Sequence, residues 1–283
     1  MQILDGKKIA AKRRAILKTQ ISEDFKTYQR APKLVILLIG GDEPSLIYVK
    51  HKLVAAQEVG IEAELLTFDA KVSTTTIYTE IEKLNNDPTV DGILLQLPIP
   101  KKFNEEDYLQ AIDPLKDADG FNYQNQGKML QGYDSIFPST PLGVINLLSE
   151  YQIDVQGMNA TVIGTSNIVG KPLCVMLSNL GATVTMCNIN TKKILDHTIN
   201  ADLIISATGS KFIVKEKMVK VGAVVVDVGI IRDQKTQKLV GDVDFEHVAQ
   251  KTSFITPVPG GVGPMTIVTL LENTHKLYLK HVK

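Results

Sequence analysis

Along the first half of the chain, short apolar runs alternate with stretches of helical periodicity. Residues 33–39 form a nearly continuous apolar run ending at Gly40 and Gly41, followed by Asp42-Glu43-Pro44 and a helix-period stretch that reaches Gly60. The pattern predicts a strand, a loop and a helix. Residues 61–68 read as a second strand, 73–86 as a helix with Ser73 as its N-cap, and 91–95 as a third strand running into Gln96-Leu97-Pro98. Such alternation implies a parallel α/β sheet.

The rhythm restarts at Asn159, with strands over 160–163, 182–187, 202–206 and 223–228 and a helix over 171–180. The turn-rich segments 138–141 and 157–159 are places to cross between units, and 257–264 is a place to cross back. A final helix over 265–280 would then pack on the first domain. The expected architecture is a two-domain α/β protein: an N-terminal α/β domain from 1–138 plus 264–283, and a second α/β unit over 139–263.

Composition narrows the function classes. The 283 residues suffice for two domains with sizeable cores, and 31 basic residues balance 31 acidic ones. No basic stripe offers counterion-release affinity, so no nucleic-acid partner is expected. The apolar runs are too short to span a bilayer and the first residues contain no apolar signal core, which predicts a cytoplasmic protein with no membrane partner. Cys174 and Cys187 form no CxxC pair and the five histidines show no ligand spacing, so no metal is expected.

Five segments could carry chemistry. Gly164, Thr165 and Ser166 open a turn, closed by Gly170, between a predicted strand and helix, where backbone N–H groups and the helix dipole suit a pyrophosphate. The spacing is not GxGxxG, and a structural βα turn is the alternative. Tyr48 and Lys52 lie four apart on the helix predicted before Gly60 and project side by side, while Leu46, Val49, Leu53 and Ala56 line another face. A desolvated lysine beside a phenol suits proton transfer near neutrality, and an exposed helix face is the alternative. Gln96 ends an apolar strand, where it either serves a site or satisfies loop backbone. Asp117 and Asp119 offer two carboxylates in one loop, or an Asx-turn. Finally, 257–264 reads as a rigid hinge or as a glycine wall that a flat ligand approaches closely.

Taken together, SLIYVKHK at 45–52, GILLQLPIP at 92–100, KDADGF at 116–121, IGTSNIVGKP at 163–172, VVVDVGI at 224–230 and PVPGGVGPMTI at 257–267 resemble one family across essentially the whole chain. It is the bifunctional methylenetetrahydrofolate dehydrogenase/methenyltetrahydrofolate cyclohydrolase (FolD) family. The resemblance implies that the second unit, 139–263, is a Rossmann-like nucleotide-binding domain, that the first domain binds folate, with the substrate in the cleft beside the Rossmann-like domain, and that the protein is a homodimer. It implies oxidation of 5,10-methylenetetrahydrofolate with NADP, or alternatively NAD, and hydrolysis of the methenyl product to 10-formyltetrahydrofolate. Carried over, Lys52 is the acid/base of hydrolysis, Gln96 its hydrogen-bonding partner, Tyr48 a face against the folate rings and Asp119 the pterin anchor. Leu95, Leu97, Pro259, Gly260, Gly261, Val262 and Gly263 complete the folate site, and Gly164, Thr165, Ser166, Ile189 and Ile230 contact the cofactor.

Three departures stand out. Many relatives read PCTP where this chain has PSTP at 138–141, GRS where it has Gly164-Thr165-Ser166, and CHSKT or similar where it has CNINT at 187–191. The last two bear on recognition of the NADP phosphate. Competing readings are a shikimate-type dehydrogenase, which would not call for Tyr48 and Lys52 plus PVPGGVGP, and a nucleotide-sensing domain without chemistry.

Overall fold

A computed structural model describes residues 1–41 and 43–283, and the backbone alone at Glu43 and Pro44. Asp42, part of the expected loop, lies outside the described residues, while Glu43 and Pro44 begin a helix rather than ending the loop. In chain order the elements are β1 (Gln2–Ile3), α1 (Gly6–Tyr28), β2 (Lys33–Ile39), α2 (Glu43–Val59), β3 (Glu62–Phe68), α3 (Thr74–Asn86), β4 (Gly92–Leu95), α4 (Glu105–Ala111), α5 (Tyr123–Leu130) and α6 (Ser139–Glu150). They continue with β5 (Asn159–Ile163), α7 (Gly170–Asn179), β6 (Thr183–Cys187), α8 (Ile194–Thr198), β7 (Leu203–Ser206), β8 (Val224–Asp227), β9 (Ile231–Arg232), β10 (Leu239–Val240), α9 (Phe245–Val248), β11 (Phe254–Ile255) and α10 (Val262–Val282). The chain divides into two compact units, one formed by 11–139 with 267–283 and the other by 1–10 with 140–266.

The first unit is built on a parallel sheet of order β3-β2-β4. Its central strand β2 is apolar and buried from Leu34 to Ile39 because both faces are covered. Val35, Leu37 and Ile39 pack with Ile77, Ile81 and Leu84 of α3. Leu34 and Ile36 pack with α1, α2 and α10 through Leu17, Ile21, Val49, Ala56, Val59 and Leu270. Ser73 caps α3 by accepting the Thr76 N–H at 3.1 Å. At the start of β4, buried Asp91 accepts Arg30 Nη1 at 2.7 Å, Arg30 Nη2 at 2.8 Å and the Lys33 N–H at 2.8 Å, which fixes β4 beside β2. The register Leu34↔Gly92 to Leu37↔Leu95 brings the carboxyl ends of the two strands together.

The second unit carries a six-stranded parallel sheet of order β1-β11-β8-β7-β5-β6. The order reverses at β5, since β6 lies on one side and β7 on the other. That reversal makes a crevice at the carboxyl ends of β5 and β7, the usual place for a ligand in an open α/β sheet. The antiparallel pair β9–β10 lies outside this sheet.

Three boundaries differ from expectation. Residues 1–10, assigned above to the first domain, group with the second unit because Gln2 and Ile3 pair with Phe254 and Ile255. A two-residue strand has no periodicity to reveal it. The segment 157–159 is no crossing but the entry to β5, closed by the Gly157 N–H donating to Gly181 at 2.9 Å. The return lies between Thr266 and Ile267, inside α10, which starts at Val262 because Pro264 is tolerated in a first helical turn.

Candidate active site

Lys52 occupies a position where the periodicity of α2 calls for an apolar side chain. The buried arc of the helix runs Ser45, Val49, Lys52, Ala56 and Val59, spaced four, three, four and three apart as a core-facing stripe requires. The expected arc is therefore rotated. Leu46 is 48% exposed and Leu53 only partly buried, while Lys52, expected on a separate face, is 5% exposed. The lysine is tolerated there because its head group has a partner: Nζ donates to Gln96 Oε1 at 3.0 Å.

Gln96 is fixed in turn. Its backbone N–H donates to Leu37 at 2.9 Å, extending the β2–β4 ladder past Leu95, and its Nε2 donates to the Leu97 carbonyl at 2.6 Å. Only one orientation of the amide satisfies both neighbours, with oxygen toward Lys52 and nitrogen toward Leu97. One side chain thus bonds both the Leu97 backbone and the Lys52 head group. Tyr48, one turn before Lys52, has its ring centroid 5.5 Å from Nζ. Burial lowers the Lys52 pKa from the ordinary lysine value, opposed by the negative charge of Asp119.

The loop after α4 brings Asp119 to the same end of the sheet. A parallel bridge pairs Ile93 with Asp117, with the Ile93 N–H donating to Lys116 at 2.7 Å, so residues 117–119 run alongside the last half of β4. The two carboxylates divide the alternatives. Asp117 is buried and forms the turn, accepting the Gly120 N–H at 2.9 Å, the Asn122 N–H at 2.8 Å and Asn125 Nδ2 at 2.9 Å. Burial nevertheless pushes its carboxyl up to about 6. Asp119 is only partly buried and its charge acts on Lys52. At Gly120, φ is +71° and a Cβ would lie 2.6 Å from the Phe137 carbonyl carbon, so glycine is required for the loop to close.

In the second unit, Gly164, Thr165 and Ser166 follow β5 directly. A Cβ at Gly164 would lie 2.3 Å from the Ala207 oxygen, and one at Gly170 would lie 1.9 Å from the Gly164 oxygen. The turn thus brings bare backbone to the start of α7, and Ser166 Oγ accepts the Val169 N–H at 3.2 Å. This arrangement fits a dinucleotide pyrophosphate. After β6, Asn188 and Thr191 close a turn, the Asn188 N–H donating to Thr191 Oγ1 at 2.8 Å. Ile189 is 97% exposed, Ile230 half-exposed, and Lys192 and Lys193 are both exposed. The segment 187–193 contains no carboxylate for the ribose hydroxyls that NAD would present.

The segment 257–263 belongs to this second unit as well. Its glycines are dictated by packing against the first turn of α1: Lys7 donates its N–H to Gly260 at 2.9 Å, and a Cβ on Gly6 would lie 1.8 Å from the Gly261 oxygen. Pro259 is exposed and Val262 buried. Among the described residues no group of three or more His, Cys, Asp or Glu side chains is arranged to hold a metal ion, and no helix is long and apolar enough to cross a membrane.

Comparison with known proteins bears on both units. Residues 4–119 match the family model for the tetrahydrofolate dehydrogenase/cyclohydrolase catalytic domain, and 138–282 match the one for its NAD(P)-binding domain. A curated relative, bifunctional protein FolD of Mesoplasma florum, is 61% identical over 282 residues, covering 100% of this chain and 99% of its own. The crystal structure of the bifunctional enzyme FolD from Campylobacter jejuni superposes with a TM-score of 0.96 at 44% identity, covering 99% of each chain. The Trypanosoma brucei dehydrogenase-cyclohydrolase, solved with NADP cofactor and inhibitor, gives a TM-score of 0.95 at 32% identity, covering 99% of this chain and 98% of that one. The rival reading survives only as shared fold: shikimate dehydrogenase from Aquifex aeolicus reaches a TM-score of 0.53 at 15% identity, covering 85% of this chain and 90% of that one. Full-length matches on this scale, joined to a buried lysine held by a strand-end glutamine and a glycine turn at the switch point of a parallel sheet, make the chain a member of the tetrahydrofolate dehydrogenase/cyclohydrolase family.

Proposed function

We propose that this protein oxidises 5,10-methylenetetrahydrofolate with NADP and hydrolyses the methenyl product to 10-formyltetrahydrofolate. The observation that carries the reading is the Lys52–Gln96 contact, 3.0 Å long and buried at the carboxyl end of β4. When bound, NADP supplies the acceptor for the hydride leaving the substrate methylene carbon. Gly164, Thr165, Ser166, Ile189 and Ile230 would hold it.

The methenyl carbon is already electrophilic, so hydrolysis needs placement of a water and a group that moves protons. A lysine with a lowered pKa holds a larger neutral fraction near pH 7 and accepts the proton of the attacking water. The resulting carbinolamine opens by breaking its bond to N5. Lys52 then delivers a proton to N5, while the carbinol oxygen gives up its own and becomes the formyl oxygen. One proton per turnover is released in all.

Gln96 keeps Nζ in place by its carbonyl oxygen. Tyr48 would stack against the folate rings, and Asp119, with two acceptor oxygens, suits paired N–H donors of the pterin. Leu95 and Leu97 would provide the apolar surface beside Lys52. We further assign the protein to the cytoplasm and to a homodimer, the latter tested by light scattering of the purified chain. Absorbance of methenyltetrahydrofolate tests the activity: it should form with NADP and disappear by hydrolysis, and a protein that does neither refutes the reading.

A further inference from the structure

Two buried carboxylates that sequence reasoning left without a role interlock the loops at the carboxyl ends of β7 and β8. Asp242, 0% exposed, accepts four hydrogen bonds from the last residue of β7 and the segment after it. Its Oδ2 takes Ser206 Oγ at 2.8 Å, the Thr208 N–H at 2.7 Å and Thr208 Oγ1 at 2.8 Å, and its Oδ1 takes the Ser210 N–H at 2.9 Å. Its own backbone is gripped by the second carboxylate: Asp227 Oδ1 accepts the Asp242 N–H at 3.0 Å and the Gly229 N–H at 2.9 Å, and Oδ2 accepts the Val243 N–H at 2.8 Å.

Charge-assisted bonds of this number freeze the backbone they touch. The parallel register aligns Ile163, Ser206 and Asp227 at one level, so the three strands end together. The loop that Asp242 holds is therefore the one against which the Gly164 turn closes, since a Cβ on Gly164 would strike the Ala207 oxygen. On the other side, a Cβ on Gly229 would lie 2.1 Å from Asp242 Oδ1, so Gly229, beside Ile230, is pressed against the same carboxylate.

We propose that Asp242 is a positioning residue of the dinucleotide site, holding the 206–210 loop and Gly229 so that the Gly164 turn and Ile230 meet NADP in a preset geometry. The inference rests on the NADP reading given above. Asp242 itself, fully buried, touches no ligand.

The test is direct titration of NADP onto the full-length protein, with cyclohydrolase turnover, which consumes no dinucleotide, measured in the same preparations. In Asp242→Asn one of the two carboxylate oxygens becomes an amide donor facing N–H groups. Its NADP Kd should rise at least tenfold while cyclohydrolase kcat/KM stays within twofold of the parent. Ser206→Ala provides the milder case should Asp242→Asn fail to fold. Ser206 is fully buried and its hydroxyl donates to Asp242, so its loss should raise the NADP Kd about threefold with hydrolysis unchanged. A folded Ser206→Ala protein with parental NADP affinity, or variants losing both activities in parallel, would overturn the assignment. If the parent binds NADP but oxidises no methylenetetrahydrofolate, the enzymatic reading fails while the affinity comparison still decides the role of Asp242. A parent that binds no dinucleotide refutes both.

Discussion

The Lys52 cluster and the turn after β6 sit at the carboxyl ends of two parallel sheets, yet they are built on opposite principles. Around Lys52 the polar side chains are buried or half-buried, and Lys52, Gln96 and Asp117 each have a hydrogen-bond partner. Around Ile189 the side chains stand in water and only the backbone is fixed, by Asn188 and Thr191. A buried charge that loses its partner is strongly destabilising, whereas an exposed residue is exchanged at little cost. Two of the three departures from the family pattern, Thr165 and the 188–191 turn, fall at half-buried or exposed positions, and the third, Ser139, is buried, where a thiol and a hydroxyl are close in size.

The comparison is tested most severely at Lys52. Lys52→Met keeps length and packing but supplies no proton, so hydrolysis of methenyltetrahydrofolate should fall by at least about a hundredfold, within the range general acid–base groups provide. Dehydrogenase turnover, followed by NADPH absorbance, should fall less. Parental hydrolysis in this variant removes Lys52 from the chemistry. In the parent, the lowered lysine pKa predicts that hydrolysis reaches its plateau at lower pH than an ordinary lysine would allow.

Asp119→Asn comes next. An amide cannot accept paired pterin donors as a carboxylate does, and a hydrogen bond to a charged group is worth roughly 1.5–3 kcal/mol, so folate KM should rise about ten- to a hundredfold with NADP affinity near the parent's. The reverse pattern in titrations would move Asp119 to the wrong unit.

At the exposed corner the effects should be smaller. NADP should be preferred over NAD, and Thr165→Arg should widen the kcat/KM ratio by roughly three- to tenfold at low salt, less at high salt because exposed charges are screened. A parent that prefers NAD, or an arginine variant without gain, defeats the assignment of this corner to the 2′-phosphate.

The smallest effect concerns stability. Asp117 has its carboxyl raised to about 6 by burial from an unfolded value of 3.8. The folded state therefore holds more protons between those values, and the contribution is present at low pH and lost as pH rises through about 6. Lowering pH from 7 to 5 should stabilise the parent relative to Asp117→Asn by on the order of 1 kcal/mol in urea unfolding. Asp202, lowered by its hydrogen bond from Lys220, carries the opposite sign, so a reversed result at Asp117 would mean that its N–H donors outweigh its burial.

The sequence by itself determined the alternation of strands and helices, the Ser73 cap, the glycine turn after β5 and the set of motif residues, because each depends on neighbours within a few positions. Tertiary structure decided what depends on contacts across the chain. Only the packed sheet shows that Lys52 lies on the buried arc of α2, since a lysine reads as solvent-facing until the residue receiving its ammonium, 44 positions away, is in place. The division between Asp117 and Asp119 likewise needed the Ile93 bridge and Asn125, and the roles of Asp227 and Asp242 needed the alignment of three strand ends. The first ten residues joined the second unit through a two-residue strand that carries no pattern of its own. Periodicity records which face of an element meets a core. A buried polar group is specified by its partner, and only folding brings that partner near.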